Sequence, residues 1–144
     1  MSSSWNGEPK PPVNEPAETV LDASAVLAAL LKEPGAVRVE HALKRGAAMS
    51  SVNVAEVAAR LSQDGWSSGD VSSVVTGMGI EVIPFGRQAA LLSGAYRTRT
   101  RSQGLGLGDR ACLATACRLG VPVLTADRSW ADLDIDGVTI VQIR

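Results

Sequence analysis

Aromatic side chains are scarce in this sequence: three Trp, one Tyr and one Phe among 144 residues. The core must therefore be built from Ala, Val, Leu and Ile at ordinary interior density. Trp5, Trp66 and Trp130 are scattered and form no platform on which bases could stack. Cysteine is almost as rare. Cys112 and Cys117 lie five residues apart in a stretch that reads as helix, so they point in different directions, which excludes a local Cys-x-x-Cys redox or zinc pair and leaves buried, unpaired thiols. The single histidine, His41, sits between Glu40 and Ala42 on an ordinary amphipathic helix and reads as a partly exposed surface residue. No apolar run approaches the roughly 18 to 20 residues of a membrane span, and the N-terminus lacks the charged-then-apolar order of a signal peptide, so a cytoplasmic protein is expected. A net charge of −1 gives no overall attraction for nucleic acid, and any such site must be local.

What is present is an alternation of short apolar runs and helical stretches. A chain of 144 residues suits one domain with one core. Residues 1–18, rich in Ser, Pro, Asn and Glu without apolar periodicity, cannot offset the entropy of ordering and are expected to be a flexible tail, leaving 19–144 as the folded domain. Short strands are expected at Thr19-Val20-Leu21, Ala47 to Ser50, Ile80 to Pro84, Val121 to Thr125 and Val138 to Ile143. Helices are expected over Ser24 to Lys32, Val37 to Arg45, Asn53 to Gln63, Ser67 to Thr76, Arg87 to Arg99 and Asp109 to Leu119, with 102–108 a glycine-rich loop. Strands separated by helices of about ten residues imply right-handed crossovers and an α/β fold: a central parallel sheet with helices on both faces.

Ligands of a parallel α/β sheet bind beyond the carboxyl ends of its strands. Asp22 follows the first strand, Glu56 sits one turn into the helix after the second, Asp109 opens the helix before the fourth, and Asp127 follows that strand. Each has a plain alternative: Asp22 and Asp109 as helix caps, Asp127 as a turn residue, Glu56 as a solvated helix charge. Taken together, four acids at equivalent topological places would repel one another unless a divalent cation or bound protons compensate them. Hard oxygen donors describe a Mg²⁺ or Mn²⁺ site, and the chemistry of such a site is hydrolysis of a phosphodiester.

Four segments, Val20-Leu21-Asp22-Ala23-Ser24-Ala25, Asn53-Val54-Ala55-Glu56-Val57, Leu107-Gly108-Asp109-Arg110-Ala111-Cys112-Leu113-Ala114 and Leu124-Thr125-Ala126-Asp127-Arg128-Ser129-Trp130, together resemble the PIN domain in order and spacing. The resemblance spans 19–144, and the Gly-Asp-Arg-x-Cys-Leu-Ala segment is similar to one branch of the VapC-type toxins. It implies a PIN-like endoribonuclease in which Asp22, Glu56, Asp109 and Asp127 hold one or two Mg²⁺ or Mn²⁺ ions, partly through water, Asp22 and Asp109 most firmly. The family varies at the position of Asp127. Water activated by the metal would cleave RNA to leave a 5′-phosphate and a 3′-hydroxyl. Ser24 and Thr125 would stand beside the metal as hydrogen-bonding groups, or serve only as a helix cap and a strand-end hydroxyl. Trp130 would pack behind Asp127. The toxin branch further implies a target in tRNA or rRNA whose cleavage inhibits translation, a cognate antitoxin that fills a groove near the metals, and a homodimer. The long stretch before the first strand departs from the family pattern.

The run Arg97-Thr98-Arg99-Thr100-Arg101, with Arg110 and Arg128, is the one concentration of positive charge near this site, and it reads either as RNA-phosphate contact or as a solvated helix end. Other α/β readings fail on particular residues. A response-regulator receiver needs paired acids after its first strand and a late lysine, yet Asp22 is followed by Ala23 and Ser24, and no lysine follows Lys44. A haloacid-dehalogenase phosphatase needs Asp-x-Asp where Asp22-Ala23-Ser24 stands. Two rivals stay within the family: a housekeeping PIN nuclease of RNA processing, and an inactive PIN-fold binding module.

Overall fold

Successive residues of a strand face opposite sides of its sheet. Val20, Ala48 and Val123 accordingly enter one apolar cluster while their neighbours Leu21, Met49 and Leu124 enter the other. The strands are β1 (Thr19–Leu21), β2 (Ala47–Ser50), β3 (Glu81–Ile83), β4 (Val123–Thr125) and β5 (Ile140–Gln142). All pair in parallel, in the order β3-β2-β1-β4-β5. The helices are α1 (Ala23–Leu30), α2 (Ala36–Arg45), α3 (Ser51–Gln63), α4 (Ser68–Gly77), α5 (Arg87–Arg99) and α6 (Leu107–Leu119). The first four pack into the Leu21 face, and α5 with α6 into the Val20 face. The fold is thus the expected three-layer α/β arrangement.

The computed structural model describes residues 16–144, so positions 1–15 of the expected tail lie outside the described residues. Ala17 already packs against the core, and Glu18 donates its N–H to the Gly46 carbonyl and pairs with Arg45.

Several element boundaries differ from the expected ones for local reasons. Helix α3 starts at Ser51, two residues before the expected Asn53, because the Ser50 hydroxyl accepts from the Val52 N–H and caps the helix directly at the strand end. Helix α6 starts at Leu107, with Gly106 as its cap, so Asp109 is its third residue and does not open it. Two short 3₁₀ turns, Arg101–Gln103 and Arg128–Asp132, occupy stretches expected to be a helix end, a glycine-rich loop and a post-strand turn. The last three strands are shorter than their apolar runs, since each pairs only over the residues that face its neighbour. Cys117 is half-buried, unlike the fully buried Cys112, and both are free thiols. His41 is exposed on α2, as expected.

The α1–α2 turn grips the end of the chain. Gly35 has φ of 94°, and a Cβ there would meet Ile143 Cγ1 and its carbonyl oxygen at 2.7 Å. Arg38 donates to the Gln142 carbonyl at 2.9 Å, and Arg144 donates to the Pro34 carbonyl at 3.2 Å while pairing with Glu33.

Candidate active site

The strand order reverses between β1 and β4, so the crevice beyond their carboxyl ends is the switch point where an open α/β sheet binds ligands. Asp22 leaves β1 there, its N–H donating to the Leu124 carbonyl of β4 at 3.2 Å. It is only 4% exposed. Its carboxylate accepts from the Ala25 N–H at 2.8 Å, from Ser24 Oγ at 2.7 Å and from Thr125 Oγ1 at 2.6 Å. Ser24 Oγ also donates to the second carboxylate oxygen at 2.9 Å, so these three donors engage both oxygens and hold Asp22 in one orientation. Burial pushes its carboxyl up to about 6, against the pull of the Thr125, Ala25 and Ser24 hydrogen bonds, and the charge of Asp109 raises it further.

Ser24 and Thr125 are linked beyond this role. Ser24 Oγ accepts from the Ala126 N–H at 2.9 Å, and Thr125 Oγ1 accepts from the Asp127 N–H at 3.0 Å. The two hydroxyls stand 3.3 Å apart and stitch α1 to the end of β4. Asp127 caps the 3₁₀ turn that follows it, accepting on Oδ1 from the Ser129 N–H at 2.9 Å and from Ser129 Oγ at 2.6 Å. Trp130 is fully buried behind it and donates its backbone N–H to the Asp127 carbonyl at 3.2 Å.

Asp109 joins the acids electrostatically. Its carboxylate accepts from the Gly106 N–H at 3.3 Å. Burial raises its carboxyl, the Gly106 N–H lowers it, the charges of Glu56 and Asp127 raise it, and Arg110 lowers it. Asp109 therefore feels the charges of Glu56 and Asp127, and Asp22 feels that of Asp109. The same charges reach the buried Cys112 thiol, which burial and then Asp22, Asp109 and Glu56 push up. The capping roles open to Asp22, Asp109 and Asp127 are all realised, and they coexist with the convergence.

Glu56 is exposed on α3, but its position is set from two sides. Asn53 Nδ2 donates to Glu56 Oε1 at 2.9 Å and to the Gly108 carbonyl at 2.9 Å. A Cβ on Gly108 would overlap the Glu56 carboxylate, so the glycine leaves the space in which that carboxylate lies. Sequence reasoning misses both Asn53 and Gly108, although Asn53 precedes Glu56 by one helical turn and Gly108 adjoins Asp109. It also passes over Ser129, which stands two residues after Asp127 in the spacing of an Asx turn.

Among the described residues no salt bridge neutralises any of the four carboxylates. The donor set therefore fits a hard divalent cation in charge and in chemistry. The described residues contain no set of three His, Cys, Asp or Glu side chains close enough to hold one ion between them.

The arginines divide. Arg110 donates from Nη1 to the Ser93 carbonyl of α5 at 3.2 Å, and its Nε is buried, so it braces α5 against α6. Arg97, Arg99, Arg101 and Arg128 are exposed, without ion pairs among the described residues. Arg97 and Arg101, with Thr100, Gly104 and Leu105, line a surface pocket of ≈180 Å³ just before the loop to Asp109.

An all-parallel five-stranded sheet whose switch point carries a buried Asp, with three further acids linked to it electrostatically, defines a class of α/β domains with an acidic edge. A family model for the PIN domain matches residues 19–136, and this chain belongs to the PIN domain family. No curated protein sequence matches. Solved structures share the fold. The chain is similar to VapBC2 from Rickettsia felis bound to a DNA fragment from their promoter, at 18% identity over 86% of this chain and 97% of that one, TM-score 0.67. It is similar to DNA-bound VapBC from Salmonella typhimurium at 20% identity, covering 88% and 98%, TM-score 0.67. It is also similar to VapBC-5 from Mycobacterium tuberculosis, a member of the VapBC family of toxin-antitoxin systems, at 23% identity, covering 88% and 99%, TM-score 0.59.

Proposed function

We propose that this PIN domain is a divalent-metal-dependent endoribonuclease and the toxin of a toxin-antitoxin pair. The observation that supports it most is the acidic edge without an ion pair among the described residues, in which Asp109 feels the charges of Glu56 and Asp127 and Asp22 feels that of Asp109. Asp22 and Asp109 would hold Mg²⁺ or Mn²⁺ directly, with Glu56 and Asp127 engaged through water. When bound, such an ion supplies Lewis-acid polarisation of the scissile phosphate and acidification of water.

The chain's own residues do the rest. Ser24 and Thr125 hold Asp22 in one orientation and, by donating to its carboxylate, favour the ionised form a cation needs. Ser129 holds Asp127 by Oδ1, which leaves Oδ2 without a hydrogen bond from Ser129. Glu56, which is exposed, would accept a proton from an attacking water. Arg97, Arg99, Arg101 and Arg128 would bind phosphates of the RNA strand, with tRNA or rRNA as the expected substrate.

The toxin assignment rests on likeness to the VapBC structures and on the rim of the site. Leu107, 51% exposed immediately before Gly108, offers an apolar contact for a partner segment laid along the groove. An antitoxin and a second copy of the chain are the proposed protein partners.

The test is cleavage of tRNA and rRNA by the purified protein with Mg²⁺, Mn²⁺ or EDTA, beside an Asp22→Asn preparation. Cleavage that requires both metal and Asp22 is expected. A folded protein that cleaves neither RNA under any metal would overturn the general nuclease reading and favour a binding module. For the toxin role, induced expression should arrest growth, and co-expression of a neighbouring small reading frame should relieve it.

A further inference from the structure

Asn53 is a polar side chain almost wholly withdrawn from water, 1% exposed in the first turn of α3. One of its nitrogens serves two acceptors: Nδ2 donates to Glu56 Oε1 and to the Gly108 carbonyl, each at 2.9 Å. Its Oδ1 is buried without a partner. Turning the amide over would set Oδ1 against two oxygens, so the two acceptors fix which way it faces. Leaving a buried acceptor unmatched is costly, and the side chain is kept in that state by what Nδ2 does. Gly108 completes the arrangement, because its missing Cβ is the space the Glu56 carboxylate occupies. An exposed glutamate, otherwise free to sample many rotamers, is thereby held against the first turn of α6, one residue from Asp109.

We propose that Asn53 and Gly108 are positioning residues that pin the Glu56 carboxylate beside Asp109, Asn53 by its hydrogen bond and Gly108 by the room it leaves. This rests on the metal-dependent reading of the site and assigns the residues that set its fourth carboxylate. The two act by opposite means, which makes them separable from a merely structural role. Asn53→Ala removes a buried hydrogen bond and is expected to lower the melting temperature. Gly108→Ala meets only the far end of the Glu56 side chain, which can swing away, and alanine favours a helix more than glycine does, so this variant should fold at least as well as the wild type.

The first readout needs no metal. In nuclear magnetic resonance spectra of the metal-free protein, the Asn53 side-chain amide protons should be protected from exchange and shift in Glu56→Ala but not in Asp127→Asn. Unprotected protons that ignore Glu56→Ala would overturn the proposal. The second readout is Mn²⁺ affinity by titration calorimetry. Asn53→Ala and Gly108→Ala are each expected to weaken it about 10- to 100-fold. In a Glu56→Ala background the same changes should alter it less than about twofold. Effects that multiply instead would show that the two residues act independently of Glu56, and the proposal would fall. Wild-type protein that binds no Mn²⁺, with Asn53 amide protons still tied to Glu56, would sink the metal reading while leaving the positioning claim standing.

Discussion

Asp22 carries opposing demands in one side chain. Burial raises its carboxyl to about 6, above the value near 4 of an unfolded Asp, so the folded state favours the proton. Without metal, the stability this group contributes is fully present below about pH 4 and is lost as pH rises through about 6. In EDTA, the wild type should therefore be more stable at pH 5 than at pH 7 by about 1 kcal/mol from this residue, and Asp22→Asn should flatten that difference. Urea unfolding of both proteins at the two pH values checks it. Saturating Mn²⁺ should reverse the trend, because only the ionised carboxylate binds a cation. At this scale Asp22, Asp109 and Asp127 stand out in the sequence beside strand ends and a helix start, and Glu56 within the helix that follows β2. Asn53 and Gly108 do not, because their significance lies in a contact between α3 and α6, 55 residues apart in sequence, which no local pattern encodes.

Elements are legible where periodicity is long. Each expected helix exists, since spacings such as Val54, Val57, Ala58 and Leu61 mark a buried face that only the 3.6-residue repeat produces. Strands of three or four residues are too short to mark their own ends, and the 3₁₀ turn after Asp127 is made by side-chain hydrogen bonds with no periodic signature. Gly35 reads in sequence only as a helix breaker, yet it also seats the end of β5. Gly35→Ala would force a side chain into the left-handed region and into Ile143. It should destabilise the protein by about 2–4 kcal/mol, measured by urea unfolding, with metal affinity retained in the folded fraction. An unchanged midpoint would mean that the turn and Ile143 shift freely.

For the whole molecule, a nearly neutral net charge hides a separation of signs: an acidic edge and, just before the loop to Asp109, exposed arginines without ion pairs among the described residues. Replacing Arg97, Arg99 and Arg101 with Gln should weaken RNA binding and flatten its dependence on salt, by about 0.7 in logarithmic slope for each phosphate that the protein no longer neutralises. A filter-binding series across salt concentrations measures this, and an unchanged slope would remove these arginines from the interface. Arg110, engaged with Ser93, should instead affect thermal stability when replaced.

The central place of β1 has a consequence for the order in which the protein comes into being. β1 is synthesised first among the strands, but Asp22 is completed by Thr125, 103 positions later, and β1 lies between β2 and the late-emerging β4. A ribosome must therefore translate nearly the whole domain before the acidic edge can close, since long-range parallel pairing forms only once both strands are available. If the chain cleaves the RNAs of translation, the topology delays that activity until Thr125 has been translated, and prematurely terminated copies that lack β4 lack the assembled site as well.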